Sequence, residues 1–238
     1  MYADDIVLLA PSVTELQAMI HICCKELSLL DLQINAKKSV AIRIGNRYKT
    51  YCDNLRAVND SIPWSNEAKY LGIYIKSGSK FTCSFDKSKC KYYRAMNAIL
   101  AKVGNNNNKP VTVNLIASIA RPILMYSVEA LSLTKSELTS LNHPWTRSFE
   151  KLFYTFDKAV IKQCKCYHGM LDIIHYYALN SMSFLNKLSL SLNLLVRTIF
   201  TLLGGEDVYR LSELFDCDPE SFSKYYKRLI YDRFYQED

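Results

Sequence analysis

The sequence is short of glycine and proline, the two residues that most often interrupt regular structure. Its 238 residues include only seven Gly and six Pro, which excludes collagen-like and Pro/Gly-rich low-complexity chains and favours long helices with few tight turns. Charged residues make up 22% of the chain and apolar residues 49%, so the composition is that of a folding chain rather than a disordered one. The length allows one large domain or two small ones.

The sequence also lacks a secretory signal and an uncharged membrane-spanning run. The initial Met is followed by two Asp and only a short apolar run, unlike a signal peptide. The strongly apolar stretch 171–203 is interrupted by Lys187 and Arg197, so a buried helix is expected there rather than a membrane span. We therefore expect an intracellular protein, nuclear or cytoplasmic, that has no membrane partner and keeps its eight cysteines reduced.

One group of cysteine and histidine residues invites a zinc interpretation. Cys164, Cys166 and His168 lie within five residues, and His175 could supply a fourth ligand. The spacing does not match a zinc knuckle and the segment has a helical pattern, so packing is the favoured interpretation of these residues.

Positive charge is confined to the middle third of the chain. Residues 79–170 contain 14 Lys and Arg against five Asp and Glu, whereas residues 1–78 contain nine against eight and residues 171–238 contain seven against ten. Phosphate neutralisation by Lys and Arg drives nucleic-acid binding. We therefore expect the middle third to contact nucleic acid, the alternative being a solvated basic face.

A helix predicted over about 84–103 separates apolar from basic residues. Its expected apolar stripe consists of Tyr92, Met96, Ile99 and Val103. Its expected phosphate-binding face consists of Lys87, Lys91, Arg94 and Lys102. Helical spacing therefore lets one side pack and another meet phosphate.

The first five residues, Met1-Tyr2-Ala3-Asp4-Asp5, place two adjacent carboxylates before an apolar run. Mg²⁺ prefers oxygen ligands, and nucleotidyl transfer uses two such ions. Asp4 and Asp5 are therefore candidate metal ligands and catalytic residues. Asp4 would bridge the two ions, and Asp5 would be a supporting ligand. This chemistry needs a further Asp from another strand, and we find no candidate after residue 5. The alternative is a solvated acidic N-terminus.

Two further blocks follow in order. Residues 32–39 end in Asn35-Ala36-Lys37-Lys38-Ser39 and lead into an apolar run, and residues 69–75 read Lys-Tyr-Leu-Gly-Ile-Tyr-Ile. The order and spacing of the three blocks resemble the C-terminal half of the palm in reverse transcriptases of non-LTR retrotransposons, a class of transposable elements. The specific motifs cover residues 1–76. From about 80 to 205 the resemblance to the helical thumb of that family is looser.

The resemblance implies catalytic roles for three positions and a primer- or nucleotide-binding role for a fourth. Asp4 and Asp5 match the metal-binding pair, which holds Mg²⁺ or Mn²⁺. Tyr2 matches the aromatic residue beside the primer or the incoming nucleotide. Lys38 matches a lysine near the leaving pyrophosphate, where a general acid helps, the alternative being a surface lysine.

The same resemblance implies a primer-binding segment and a set of partners. Tyr70, Leu71 and Gly72 match the strand pair that supports the primer end, and Gly72 is interpreted as a point of close backbone approach or as a bulge. The implied partners are an RNA template, a DNA primer and a dNTP. Sequence leaves the oligomeric state open.

We predict an α+β fold made of a partial polymerase palm and a mainly helical thumb-like region. The predicted segments are the palm at 1–78, the basic thumb-like region at 79–170 and a C-terminal helical region at 171–238. Strands are expected at 6–10, 32–35, 39–44 and 69–76, with a hairpin or loop over 46–61. The remaining local signals are a capping box at Ser12 and Glu15, an interruption or kink at Pro122, a break at His143-Pro144, and a helix stop at Gly204 and Gly205. Trp145, Phe149, Phe153 and Phe156 have helical spacing, and such an aromatic stripe is more often core than a base-stacking platform.

The expected function is that of part of an RNA-directed DNA polymerase, a nucleotidyltransferase. In the family, the fingers and the first palm aspartate precede the Asp-Asp turn, so we expect this chain to be the downstream portion of a longer polymerase and to be inactive alone. The alternatives are a stand-alone nucleic-acid-binding module, an inactive relic, and a fragment of a group II intron maturase, which carries similar motifs.

Overall fold

The protein folds into two compact units, Met1–Ser84 and Phe85–Asp238. The computed structural model describes residues 5–57, 60–104 and 108–236. The first unit combines a helix with small antiparallel sheets and the second is helical, which confirms the predicted α+β class. The boundary between the two units follows Ser84, a few residues beyond the predicted end of the palm at residue 78. Helices on both sides of residue 170 share a single core, so the predicted segments 79–170 and 171–238 belong to one unit.

Within residues 5–57 and 60–84, the first unit contains one helix and five short strands. Helix α1 (Val13–Ser28) begins at Ser12, whose Oγ accepts a hydrogen bond from Glu15 N at 3.2 Å, as the predicted N-cap requires. The strands are β1 (Leu55–Ala57), β2 (Asp60–Ile62), β3 (Glu67–Tyr70), β4 (Ile73–Lys76) and β5 (Thr82–Ser84). Strands β1 and β2 pair antiparallel and overlap the predicted hairpin or loop segment 46–61, with β2 ending just beyond it, and β3-β4-β5 form an antiparallel sheet. The small core contains Ile20, Ala36, Ala41, Leu55, Ala57 and Ile62.

Three of the predicted strands are wrong. Residues 6–10 and 32–35 have no regular structure, and Ile6, Val7 and Leu9 are exposed. Within the described residues, the segment 39–44 makes only isolated parallel bridges, from Ala41 to Trp64 and from Ile44 to Gly78. A strand is stabilised by continuous cross-strand pairs, and the described residues give these three segments no such partner.

The predicted single strand over 69–76 is instead a tight hairpin. Strands β3 and β4 pair in register, with Tyr70 opposite Ile73. The two loop residues, Leu71 and Gly72, have φ values of 45° and 86°. Positive φ at both central positions is the signature of the type I′ turn that favours β-hairpins. Gly72 is therefore a turn residue and not a bulge within a strand.

The second unit is built from helices. They are α2 (Asp86–Val103), α3 (Lys109–Leu115), a π-helical turn (Ile116–Ala120), α4 (Arg121–Leu124), a 3₁₀ turn (Val128–Ala130), α5 (Lys135–Phe153), α6 (Lys158–Tyr167), α7 (Ile173–Ser189), α8 (Leu194–Leu214) and α9 (Pro219–Gln236). The core lies between them, and its largest fully buried side chains include Trp145, Tyr92, Tyr177, Phe222 and Phe234. No helix in the described ranges is both long enough and apolar enough to cross a membrane.

The two interior prolines behave differently. Pro122 stands in the first turn of α4, directly after the π-helical turn, so the α-helix is interrupted just before it, as predicted, since proline lacks the N–H that would continue the ladder. The predicted break at Pro144 is wrong, because α5 runs through it. Pro144 is buried, and its carbonyl oxygen accepts a hydrogen bond from Ser148 Oγ at 3.1 Å.

Helix α8 continues past the glycine pair that was predicted to end it. Both Gly204 and Gly205 lie inside α8. A Cβ atom added at Gly204 would come within 2.6 Å of two ring carbons of Phe200, whereas one at Gly205 would meet nothing within 4 Å. Gly204 therefore serves helix packing rather than helix termination.

Candidate nucleic-acid interface

The basic residues predicted on the helix over 84–103 do occupy one exposed face of α2. The apolar residues Tyr92, Met96 and Ile99 are buried, and the opposite side of the helix is in solvent. The exposed face carries Lys87, Lys91, Arg94 and Lys102, which we call the basic stripe. The sequence has no Asp or Glu between Lys87 and Lys102, so the stripe has a single sign of charge along about four helical turns.

Buried contacts between α2 and α5 fix the orientation of the stripe. The Tyr92 hydroxyl is hydrogen-bonded to Ser148 Oγ, which also lies 2.9 Å from Met96 Sδ. Burial raises the pKa of Tyr92 well above its usual range, so the phenol stays protonated and able to donate. Lys89 Nζ donates to Ser140 Oγ at 2.5 Å. These contacts hold the inner side of α2 against α5 and leave the basic stripe outside.

Helices α2 and α5 run in the same direction, so their C-terminal ends lie together. The contact from Lys89 to Ser140 joins their first halves, and Lys151 Nζ donates to Asn97 Oδ1 at 3.2 Å near their C-terminal ends. Lys151 thus adds an α5 cation beside the basic stripe. The sequence predicted the basic stripe but not its neighbour Lys151, because helical spacing does not show which helices lie side by side.

The predicted catalytic residues are only partly described. Tyr2 and Asp4 lie outside the described residues, so the Asp pair is not tested as a metal site. Asp5 is exposed and forms an isolated bridge. Leu8 packs against the same small core as Ala36, which brings the segment after Asp5 and the segment before Lys38 into one core.

The segment around Lys38 forms a local turn. Asn35 Oδ1 accepts from Lys38 N at 3.2 Å, and Asn35 O accepts from Lys38 N at 3.1 Å and from Ser39 N at 3.0 Å. Asn side chains stabilise turns in this way. With Ala36 buried below, the Lys38 side chain is exposed. The turn therefore explains the Asn-x-x-Lys-Ser spacing, and it places the Lys38 side chain in solvent.

The predicted primer-supporting residues lie together in the β3–β4 hairpin. Tyr70 ends β3 and is half-buried, and Leu71 and Gly72 form the turn. The hairpin brings these three residues to one end of the three-stranded sheet.

The zinc interpretation gains no support from the described residues. Within 5–57, 60–104 and 108–236, no group of three His, Cys, Asp or Glu side chains is placed to hold a metal ion. Burial raises the pKa of the Cys164 thiol, and the charge of Lys109 acts in the opposite direction. The His175 ring contacts Phe215 and Phe234, so it packs in the aromatic core.

Two exposed aromatic residues, Tyr154 and Phe156, follow α5; the sequence favoured a core position for Phe156 over a base-stacking one and did not single out Tyr154. The expected core stripe is confirmed at Trp145 and Phe149, which are buried. It is wrong at Phe156, which is 74% exposed. Helix α5 ends at Tyr154, which is 83% exposed and has φ 54°. Helical spacing no longer applies beyond that residue, so Phe156 does not continue the buried stripe.

Known proteins give no further assignment. A scan against protein-family models and searches among curated proteins and solved structures gave no match to this chain. The case for function therefore depends on its motifs and on the geometry described above.

Proposed function

We propose that this chain is the downstream palm and thumb portion of a non-LTR retrotransposon RNA-directed DNA polymerase, and that its own contribution is to bind the RNA/DNA template–primer duplex. The single observation that carries the binding proposal is the basic stripe, Lys87, Lys91, Arg94 and Lys102, exposed on the side of α2 opposite its buried face. A row of exposed cations on one helix face can contact successive backbone phosphates, and phosphate contacts provide most of sequence-independent affinity.

In the whole polymerase, the proposal assigns nucleotidyl transfer to a two-metal centre. Asp4 and Asp5 would hold Mg²⁺ or Mn²⁺, which would activate the primer hydroxyl and stabilise the leaving pyrophosphate of the dNTP. Lys38, in its exposed turn, would donate a proton to that leaving group. The β3–β4 hairpin, with Tyr70 and Leu71, would lie at the primer end. The polymerase would act inside the cell, in the nucleus or the cytoplasm.

A stand-alone nucleic-acid-binding module is the second candidate. It is favoured by the position of the basic stripe in a compact unit of its own, Phe85–Asp238. Both candidates predict duplex binding, and they differ in whether that binding serves primer extension by a longer chain carrying Asp4 and Asp5. A group II intron maturase fragment would bind RNA through the same surface.

Fluorescence anisotropy with a labelled RNA/DNA duplex tests the binding proposal. Each phosphate contact contributes a slope of about −0.9 to the dependence of log K on log salt, so four contacts give about −3.6. Each contact therefore raises the affinity about eight-fold when the salt concentration falls from 1 M to 0.1 M. The double variant Lys91→Gln/Arg94→Gln should therefore lose about 60-fold and reduce the slope by about 2.

The matched control removes two positive charges from α9. Lys224 and Lys227 are exposed in the same unit and away from α2 in the sequence, so Lys224→Gln/Lys227→Gln should change the affinity little. Equal losses in the two double variants would show that net charge, not the basic stripe, drives binding. Duplex binding that is undetectable even at low salt would overturn the proposed function.

A further inference from the structure

The exposed aromatic residues at the end of α5 stand beside basic residues. We call residues 154–157, which join α5 to α6, the α5–α6 corner. We propose that Tyr154 and Phe156 form a stacking platform for unpaired bases, so that a single strand leaving the duplex on α2 is bound at this corner. The inference rests on the proposed function, because it takes the duplex on the basic stripe as its starting point.

The exposure of the two rings is the first argument. Single exposed aromatics are ordinary on protein surfaces. Here two large rings, 83% and 74% exposed, stand within three residues of each other. An aromatic face stacks on any base, which makes such a platform tolerant of sequence.

The backbone at Tyr154 is the second argument. Its φ of 54° and ψ of 38° are left-handed, a conformation that glycine adopts freely and that costs free energy in other residues. Helix C-termini of this kind usually carry Gly or Asn. A tyrosine there is unfavourable for the fold alone, and strained residues concentrate at binding and catalytic positions.

The surrounding charge is the third argument. The Arg147 guanidinium lies 5.4 Å from the ring centroid of Phe156. Lys151 and Lys158 are exposed on either side of the corner. Rings interleaved with cations are the usual composition of single-strand binding surfaces.

The acidic residues of the corner already have partners. Glu150 is paired with Arg147 at 2.6 Å. Asp157 caps α6, where its Oδ1 accepts from Ala159 N at 2.8 Å. Thr155 N donates to Glu150 O at 3.3 Å, and Thr155 Oγ1 accepts from Asp157 N at 3.2 Å. The corner is therefore fixed by local hydrogen bonds, which limits the ordering cost of binding.

The platform connects with the basic stripe through Lys151. Its Nζ donates to Asn97 Oδ1, and Asn97 lies one helical turn after Arg94 on α2. Tyr154 in turn lies about one turn after Lys151 on α5. Lys151 therefore places a cation between the basic stripe on α2 and the α5–α6 corner.

The test compares a blunt RNA/DNA duplex with the same duplex carrying a short single-stranded extension, in separate DNA and RNA versions. Stacking of one base is worth about ten-fold in affinity, so the extended duplexes should bind about ten-fold to a hundred-fold tighter than the blunt one if one or two bases stack. The two versions show whether the platform binds unpaired DNA, unpaired RNA or both. Fluorescence of 2-aminopurine at the first unpaired position should change on binding.

Three variants assign the effect to the rings. Tyr154→Gly/Phe156→Ser should lose the gain from the extension and keep the blunt-duplex affinity, and Gly suits the left-handed position so that the fold is retained. Tyr154→Phe should keep the gain, since the ring remains. Tyr235→Ser removes a half-exposed ring from α9 and should change neither affinity.

The outcomes separate the two proposals. If the blunt duplex binds and the extension adds nothing in the unmodified protein, or if Tyr154→Gly/Phe156→Ser keeps the whole gain, the platform is overturned and the duplex interface stands. If the blunt duplex fails to bind at low salt while a free single strand binds through the two rings, the duplex interface is overturned instead. If neither binds, both are overturned.

Discussion

Exchanging each glycine of the α8 pair for alanine tests the packing of the helical unit. The two positions are adjacent in sequence and both lie inside α8 (Leu194–Leu214). Replacing either Gly by Ala therefore changes the helix propensity by the same amount. They differ in surroundings, because a Cβ at Gly204 meets the Phe200 ring at 2.6 Å and a Cβ at Gly205 meets nothing within 4 Å. The pair therefore separates backbone propensity from side-chain packing.

The magnitudes follow from these distances. Ala is preferred over Gly inside a helix by about 0.8–1.0 kcal/mol, so Gly205→Ala should raise the free energy of unfolding by about that amount. Gly204→Ala gains the same propensity, but packed carbons prefer about 3.5–4.0 Å, so the Phe200 ring must move by about 1 Å. Overpacking of this kind costs about 1–3 kcal/mol. The net change at Gly204 should therefore lie between zero and a loss of about 2 kcal/mol.

Urea unfolding followed by circular dichroism at 222 nm measures both variants, since helices of the second unit dominate that signal. With an m value of about 2 kcal/mol/M, a difference of about 2 kcal/mol separates the two midpoints by about 1 M. Equal stabilisation at both positions would refute the packing argument. Destabilisation at Gly205 by about 1–2 kcal/mol would show that this residue is a left-handed helix stop, as the sequence alone predicted.

Two further stability predictions concern a strained turn and a buried ion pair. Leu71→Asn should stabilise the first unit by about 0.5–1 kcal/mol, because Asn tolerates the positive φ of the type I′ turn better than Leu. Slower amide hydrogen exchange in β3 and β4 would confirm this stabilisation, and unchanged exchange would contradict it. Lys165 is only 3% exposed and its Nζ lies 2.5 Å from Asp172 Oδ1, so Asp172→Asn should cost about 3 kcal/mol by leaving a buried charge unpaired. Lys165→Met should cost less, since Asp172 is partly exposed, and a larger loss for Lys165→Met in urea unfolding would refute this argument.

Helices were the part of the fold that sequence predicted best, because their signals are local. The predicted helix over 84–103 matches α2 closely, and Ser12 caps α1 as expected. Apolar spacing and capping chemistry depend on residues within one or two turns. The basic stripe is a property of the same kind, so it could be found before any neighbouring helix was known.

Strands were predicted poorly because pairing depends on distant segments. An apolar run such as residues 6–10 has the composition of a strand, yet the described residues provide no continuous partner. Residues 69–76 have the composition of one strand and form two, since the turn at Leu71 and Gly72 reverses the chain. A Leu in that turn conceals the signal, because Asn-Gly is the pair that usually marks it.

Proline and glycine show how packing overrides local rules. Pro122 disturbs its helix and Pro144 does not, although both have the same chemistry. Gly204 was predicted to stop a helix and instead makes room for Phe200. In each case the outcome is decided by what lies against the residue, which spacing along the chain does not contain.

The α5–α6 corner was missed for a related reason. Phe156 fits the helical spacing of the core stripe only if α5 continues, and α5 ends at Tyr154 with a left-handed residue that local rules assign to Gly or Asn. Leu71 in the β3–β4 turn is a second large residue with positive φ. Both residues depart from local preference in segments for which we propose contacts with nucleic acid, one at the single strand and one at the primer end. Such departures persist only where the surrounding structure or function maintains them. Replacing Tyr154 or Leu71 by a residue that favours positive φ should therefore raise stability and weaken nucleic-acid binding together.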